Sequence, residues 1–363
     1  MTLLTAQYTS AQLCQMYRQM LLIRLFEEKA AEMYSKGHIS GFSHLYIGQE
    51  AVAVGVTSVL SDKDYLITAY REHGQAIAKG CDPKEVMAEL FGKATGLCGG
   101  KGGSMHLFEP EKRFMGGYAI VAGQLPIAVG LGLSVSYRHE DAVVVCMFGD
   151  GAVNEGAFHE SLNLAKLWNL PVIFICENNQ YGMGTAVHRA NASADIAGQA
   201  CAYRMPGLEA NGMDVLDVAN TMQEALRHIQ TNLGPVLIEA KTYRFRGHSM
   251  ADPLKYRTAQ EEEIWKSRDP IPALANVLTA QYGATAEELE AIRKAVTQEV
   301  DAAVAFAQES PFPDMDTLMQ NIYTPNEFID STGALIPKRP DAKAYTPEPD
   351  QALAQREQLQ GQE

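Results

Sequence analysis

Positive charge is scarce in this 363-residue chain: 30 Lys and Arg stand against 44 Asp and Glu, a formal net charge of −14. That balance argues against partners such as nucleic acid or an anionic membrane surface, and otherwise serves solubility. Long apolar runs are also lacking, and none approaches the roughly 18 residues needed to cross a bilayer. The first ten residues show neither the positive region and apolar core of a secretory leader nor an arginine-rich amphipathic presequence. Cysteine is sparse: Cys14, Cys81, Cys98, Cys146, Cys176 and Cys201 form no Cys-x-x-Cys pair and no Cys/His group at zinc spacing. This suits a reducing compartment. The expectation is a cytoplasmic protein, bacterial or organelle-encoded. No Gly-x-Gly-x-x-Gly follows an expected strand, which disfavours a nicotinamide-binding oxidoreductase. There is no internal repeat and no linker that cleanly divides the body.

What is present is a chain with 46% hydrophobic residues, enough to bury a large core. Two apolar runs, 142–148 and 172–176, have the length and branched content of buried parallel strands. The stretch 158–170 between them has Leu162, Ala165 and Leu170 at helical spacing, with Pro171 as a stop, and reads as the crossover. Gly149-Asp150-Gly151 follows the first run. Asn178-Asn179 follows the second, after 26 intervening residues, 152 to 177. Asp150 and the two asparagines are therefore expected at the carboxyl ends of adjacent parallel strands, where open α/β sheets bind ligands. One carboxylate, one carboxamide and nearby carbonyls, without a thiolate, suit a hard cation such as Mg²⁺ that keeps water and phosphate oxygens. The glycines allow close backbone approach to a phosphate, and the following helix N-terminus favours negative charge.

Elsewhere, Thr9-Ser10-Ala11-Gln12 offers a capping box for a helix through Met16, Met20 and Phe26, ended by Gly37. Asp82-Pro83-Lys84-Glu85 begins a second helix that Gly92 can close. Residues 93–117 are glycine-rich with little helical or strand pattern, and read as a long functional loop. Residues 121–135 read as a buried helix of small residues. Strand-like segments occupy 65–68 and 236–240, and Thr285-Ala286-Glu287-Glu288 opens a long amphipathic helix with Leu289, Ile292 and Val296 on one face. Beyond Tyr323 periodicity fades and proline rises, and 351–363 reads as mobile.

Four blocks occur in order: Gly99-Gly100-Lys101-Gly102-Gly103-Ser104-Met105-His106, Gly149-Asp150-Gly151, Cys176-Glu177-Asn178-Asn179-Gln180-Tyr181-Gly182-Met183-Gly184, and 243–253, Tyr-Arg-Phe-Arg-Gly-His-Ser-Met-Ala-Asp-Pro. With them, the chain closely resembles the alpha subunits of the thiamine-dependent 2-oxo acid dehydrogenases from about Leu13 to Tyr323. The nearest resemblance is to those acting on pyruvate, with acetoin as the alternative substrate. The fold it implies is α/β: a thiamine-diphosphate-binding domain over 41–325, its doubly wound, mainly parallel sheet flanked by helices, with a C-terminal helical arm. A helical extension, 1–40, precedes it, and a partly flexible tail, 326–363, follows.

The resemblance implies thiamine diphosphate and Mg²⁺ as cofactors, with the side chains of Asp150 and Asn179 and the carbonyl of Tyr181 on the metal. Asp150 could otherwise serve only as a helix cap, and Asn178 is a turn residue rather than a ligand. Tyr70 and Arg71 are assigned to the diphosphate, where an arginine can bind two oxygens at once. Gly151 and Ala152 adjoin it. The backbone at Ala119-Ile120-Val121 holds the aminopyrimidine ring, although glycine is usual where Ala119 stands. His44 and His248 resemble active-site histidines, while His106 stays open between a site role and a structural one. Arg244 and Arg246 help order the loop around the anionic site. Ser249 matches a phosphorylation site of regulated relatives, but their second serine is replaced in Leu254-Lys255-Tyr256, so regulation there is not expected of a bacterial chain.

The activity implied is oxidative decarboxylation of a small-molecule 2-oxo acid, with the acyl unit passed to the lipoyl group of a dihydrolipoyl transacetylase. The glutamate that activates the cofactor is expected on a separate beta chain, in a heterotetramer of two alpha and two beta subunits. A non-catalytic scaffold is the contrasting possibility. Asp150, Asn179, Arg71 and His248 are all present, which argues against it.

Overall fold

The computed structural model describes residues 8–231, 233–318 and 320. Its strands are β1 (Tyr65–Ala69), β2 (Phe114–Tyr118), β3 (Val144–Gly149), β4 (Val172–Asn178), a short antiparallel pair β5 (Tyr181–Gly182) and β6 (Thr185–Ala186), β7 (Gly207–Asn211) and β8 (Val236–Lys241). Six of them form one sheet, ordered β2-β1-β3-β4-β8-β7, and every pairing in it is parallel. The helices are α1 (Ser10–Ser35), α2 (Glu50–Thr57), α3 (His73–Lys79), α4 (Pro83–Leu90), α5 (Gln124–Arg138), α6 (Gly156–Leu167), α7 (Val187–Ala190), α8 (Val215–Gln230), α9 (Ala259–Lys266), α10 (Pro270–Tyr282) and α11 (Ala286–Glu309).

Strand period sets the layers. Leu66, Val145, Met147, Ile173, Ile175, Val236 and Ile238 point into one core with α1 to α4, α8, α10 and α11. Their neighbours Ile67, Val144, Cys146, Phe148, Val172, Phe174, Cys176 and Leu237 point into a second core with α5 and α6. A strand buried on both faces has no polar alternation, which is why 142–148 and 172–176 read as unbroken apolar runs. Local chemistry ends the helices where expected. Thr9 and Thr285 form capping boxes with Gln12 and Glu288, Asp82 caps Lys84 N–H ahead of Pro83, and Gly37 and Gly92 take positive φ beyond α1 and α4.

The chain up to Pro313 is one compact unit. Of the unit that follows, the 3₁₀ turn Met315–Thr317 is described. The tail at 326–363 lies outside the described residues. Among the described residues no helix is long and apolar enough to cross a membrane.

Two expectations need correction. The stretch 93–117 is not all loop, because β2 begins at Phe114 and forms the sheet edge beside β1. Helix α5 is not buried all round: Leu125, Ala128, Val129 and Val135 face the core, while Ile127, Leu133 and Tyr137 are exposed. The glycines of 99–103 have a structural reason. The buried Glu89 carboxylate accepts the N–H groups of Cys98 (2.8 Å), Gly100 (2.8 Å), Gly102 (2.7 Å) and Gly103 (3.1 Å), a wrap tight enough that a Cβ on Gly100 would sit 2.6 Å from Gly92.

Candidate cofactor and active site

Sheet order reverses between β1 and β3, since β1 neighbours β2 on one side and β3 on the other. Crevices at such reversals, outside the carboxyl ends of the strands, are where open α/β sheets hold ligands. The segments leaving β1, β3 and β4 there carry Tyr70-Arg71, Asp150-Gly151-Ala152 and Asn179. Together with Val121, Tyr181 and His248 they line a cavity of about 280 Å³. Gln49, Thr68, Gln124, Glu155, Glu177 and Arg244 add to its polar lining. Ala119 and His44 do not line it. His44 stands behind, its ring 4.6 Å from Tyr70 and 5.1 Å from His248. A larger cavity, about 770 Å³ between β7, α8 and α10, holds none of the expected residues.

Two backbone contacts bring the histidines together. Phe245 N–H donates to Ile47 O (3.0 Å) and Met250 N–H to Ser43 O (3.0 Å), so the segments bearing His248 and His44 run side by side. Ser249 is half-buried in this stretch, where its carbonyl accepts Asp252 N–H. His106 lies outside the cavity and pairs through Nδ1 with Gly117 O (3.1 Å), a structural bond. Arg246 is exposed.

Charge is arranged unusually. Arg71 is only 7% exposed, donates to Leu45 O (2.8 Å) and His248 O (2.7 Å), and has no carboxylate ion pair among the described residues. Burial, with the nearby charge of Arg244 next, holds its pKa down to about 9, still protonated at neutral pH. A buried guanidinium whose charge is left to an incoming group fits an anion such as a diphosphate. Gly149 and Gly151 fit it too: a Cβ on Gly149 would meet no protein atom within 4 Å, and one on Gly151 only Gly182 Cα at 3.6 Å, so open space lies before both.

The acidic side is equally unpaired. Asp150 is 3% exposed with no ion pair among the described residues, and burial pushes its carboxyl up to about 6. Asn179 donates its amide N–H to Gln49 Oε1 (3.0 Å), which aims Oδ1 the other way. There Asn179 Oδ1 and Tyr181 O both lie 3.1 Å from one guanidinium nitrogen of Arg244, so the two oxygens converge on a single positively charged position. A carboxylate, a carboxamide and a carbonyl fit a hard divalent cation. Asn178 makes a turn, accepting Gln180 N–H (3.1 Å). A separate acidic group, Asp195, Glu209 and Glu239, lies away from this cavity, with Glu209 paired to Lys241.

One carboxylate escaped sequence reasoning. Glu177, at the end of β4, is buried and bonded by Tyr46 Oη and Gln75 Nε2 (3.0 Å), and burial pushes its pKa up to about 7. The available signal was a charged residue directly continuing an apolar strand.

Both histidines are neutral. Burial, then the charge of Arg71, lowers His44 to about 2, and burial, then Arg71 and Arg244, lowers His248 to about 3. The unfolded chain takes up protons below about 6.5 that the folded one refuses. Stability therefore falls with pH from about 6.5 towards these values, by at most about 1.4 kcal/mol per pH unit for His44. The His44 ring resonances should not titrate between pH 5 and 8, and a midpoint inside that window would refute the reading.

Comparison with known proteins bears on this geometry. The family model described as "Dehydrogenase E1 component" matches residues 17–316. A pyruvate dehydrogenase E1 component subunit alpha of Rhizobium meliloti is 48% identical over 307 residues, covering 84% of this chain and 88% of the relative. The subunit of the same name from Porphyra purpurea is 44% identical over 325 residues, 88% of this chain and 94% of its own. That from Zymomonas mobilis is 45% identical over 313 residues, 86% and 88% respectively. The chain belongs to the dehydrogenase E1 component family, which depends on thiamine diphosphate.

Proposed function

We propose that this chain is the alpha subunit of a pyruvate dehydrogenase E1 component, with its share of the active site at the carboxyl ends of β1, β3, β4 and β8. The observation that carries the site is the convergence of unpaired buried charge, Arg71 for an anion and Asp150 with two neutral oxygens for a cation, on one cavity. The names of the relatives favour pyruvate over acetoin as substrate.

Bound thiamine diphosphate supplies the nucleophilic carbon and electron sink for decarboxylation. The chain's own residues bind and orient. Arg71 and Tyr70 would take diphosphate oxygens, and Asp150, Asn179 and the Tyr181 carbonyl would hold Mg²⁺. Gly151 and Ala152 would border the phosphates, and the backbone at Val121 the ring. His248, neutral and with its Nδ1 lacking a protein partner, can donate to or accept from substrate without bringing charge, while His44, equally neutral, packs behind it against the Tyr70 and His248 rings.

A beta subunit is proposed to cover the outer face of α5. Ile120 is 76% and Tyr137 71% exposed, and with Val121, Ile127 and Leu133 they form an apolar stripe beginning at the cavity. A lipoyl-bearing transacetylase would receive the acyl group, and the whole would act in the cytoplasm. The test is electron-acceptor reduction by the chain plus its beta partner, Mg²⁺ and thiamine diphosphate, on pyruvate, 2-oxobutyrate, branched 2-oxo acids and acetoin. Pyruvate should lead. A lead by acetoin would reassign the substrate, and no turnover by an assembled, cofactor-loaded complex would refute catalysis.

A further inference from the structure

Arg244 is 1% exposed, the largest of the fully buried side chains, and has no carboxylate ion pair among the described residues. Its guanidinium makes five bonds to neutral acceptors. Nη1 donates to Asn179 Oδ1 (3.1 Å) and Tyr181 O (3.1 Å), Nη2 to Met183 O (3.1 Å) and Tyr256 Oη (3.1 Å), and Nε to Arg246 O (3.3 Å). Two of these acceptors are oxygens assigned above to the metal. The other three belong to the hairpin beyond β5 and to the 246–256 segment that carries His248 and Ser249. Tyr256 in turn donates to Asp252, which accepts His248 N–H (2.6 Å).

We propose that Arg244 is an internal surrogate cation. Its guanidinium occupies the shared position of Asn179 Oδ1 and Tyr181 O until a divalent metal arrives, so metal entry displaces it from those two oxygens. The inference rests on the metal assignment of the proposed function and adds a competitor to it. A buried charge leaves oxygen acceptors only if replaced by another cation or offset by an anion. Diphosphate brings that anion, so metal and diphosphate should bind together far better than metal alone. Arg244 retains Met183 O and Tyr256 Oη throughout, which ties the state of the metal position to the 246–256 segment. It acts as a positioning residue.

The competition has a sign that a merely structural arginine would not produce. A competitor raises the apparent metal Kd by the reciprocal of the fraction of time that it leaves the ligands free. Removing it should tighten metal binding, whereas loosening a structural loop should weaken it. The probe is Mn²⁺ bound to the full-length chain without diphosphate, followed by electron paramagnetic resonance of free Mn²⁺, for wild type, Arg244→Met, Arg244→Lys and Asp150→Ala. We expect Arg244→Met to lower the Mn²⁺ Kd by about tenfold, the scale of one hydrogen bond to a charged group. Arg244→Lys keeps the charge but loses the fork and should stay near wild type. Melting curves establish that each variant is folded. If Arg244→Met does not fold, the lysine variant decides alone: Mn²⁺ binding weaker than in wild type would overturn the proposal. Unchanged or weaker Mn²⁺ binding by folded Arg244→Met overturns it as well, and weaker thiamine diphosphate binding beside it would make Arg244 an anion ligand instead. If Asp150→Ala abolishes wild-type Mn²⁺ binding while Arg244→Met fails to tighten it, the metal site stands and only the surrogate role falls. Mn²⁺ binding indifferent to Asp150→Ala overturns both.

Discussion

Asp150→Asn is expected to abolish turnover, by about 10³-fold or more, while making the ligand-free chain more stable. The two halves of this result have one cause. The carboxyl is buried at the end of β3, its pKa raised from 3.8 to about 6, and no cation pairs with it among the described residues. A carboxylate whose folded pKa exceeds its unfolded one is more readily ionised in the unfolded chain, so at neutral pH it favours unfolding. The penalty is on the order of 3 kcal/mol. Asparagine keeps the shape and removes the charge, so the variant should melt several degrees higher without ligands. In the proposed metal site the same carboxylate would neutralise the divalent cation, and a metal's electrostatic contribution is several kcal/mol, which would account for about 10³ in rate. Calorimetric melting with and without Mg²⁺ and thiamine diphosphate checks it. Added cofactor should raise the wild-type Tm and leave the variant where it was. A ligand-free variant less stable than wild type would mean that Asp150 serves the fold.

Legibility followed sequence distance. The strand–turn pairs 142–151 and 172–179 were readable because each carries an apolar run, a stop and a chemical group within about ten residues, and β3 and β4 pair in the register that sets Asp150 and Asn179 beyond neighbouring strand ends. Edge strand β2 was not readable. It runs Phe114-Met115-Gly116-Gly117-Tyr118, with two glycines and no branched residue. Gly117 is required by a long-range neighbour: a Cβ there would lie 1.2 Å from the Glu72 carboxylate, which accepts Leu107 N–H. Pairing with β1 overrides local propensity.

The site divided in the same way. Arg71, Asp150 and Asn179 stand on the turns that define the motif. The sequence marks Arg244 as a loop-ordering residue, which its bonds to Arg246 O and Tyr256 Oη fit, but does not show that it reaches Asn179, 65 positions away, and forms part of the cavity wall. Glu177 gave no sign of its bonds to Tyr46 and Gln75, 131 and 102 positions away. Nothing local distinguishes such partners: Arg244 meets Asn179 only when β4 and β8 pair and deliver their ends together, and Glu177 meets Tyr46 and Gln75 only when the segment before α2 and helix α3 pack against the end of β4.

The chain alone is expected to show no measurable 2-oxo acid turnover, and addition of its beta partner to restore it from background. The reasoning begins at α5. The stripe Ile127, Leu133 and Tyr137 lies opposite the face that packs on the sheet, and its upper end meets Ile120 and Val121, the segment assigned to the aminopyrimidine ring. Small, apolar residues predict a buried α5, but among the described residues only one side of it finds a partner. An apolar stripe continuous with a cofactor cavity is accounted for if a second chain covers it and finishes the cavity wall. The glutamate that activates the cofactor would come from that chain, and loss of such an acid–base group costs about 10² to 10⁴ in rate. Ile127→Asp places a charge at the centre of the stripe without touching the cavity lining. It should leave the isolated chain folded, since Ile127 is already 39% exposed, while preventing assembly. Sedimentation of wild type and variant with the beta chain, alongside electron-acceptor turnover, separates the possibilities. Assembly and activity lost together in Ile127→Asp would fix α5 as the interface, whereas a fully assembled, active variant would move that interface elsewhere. Substantial turnover by the lone wild-type chain would show that this polypeptide carries its own activating acid, and the half-site reading would fall.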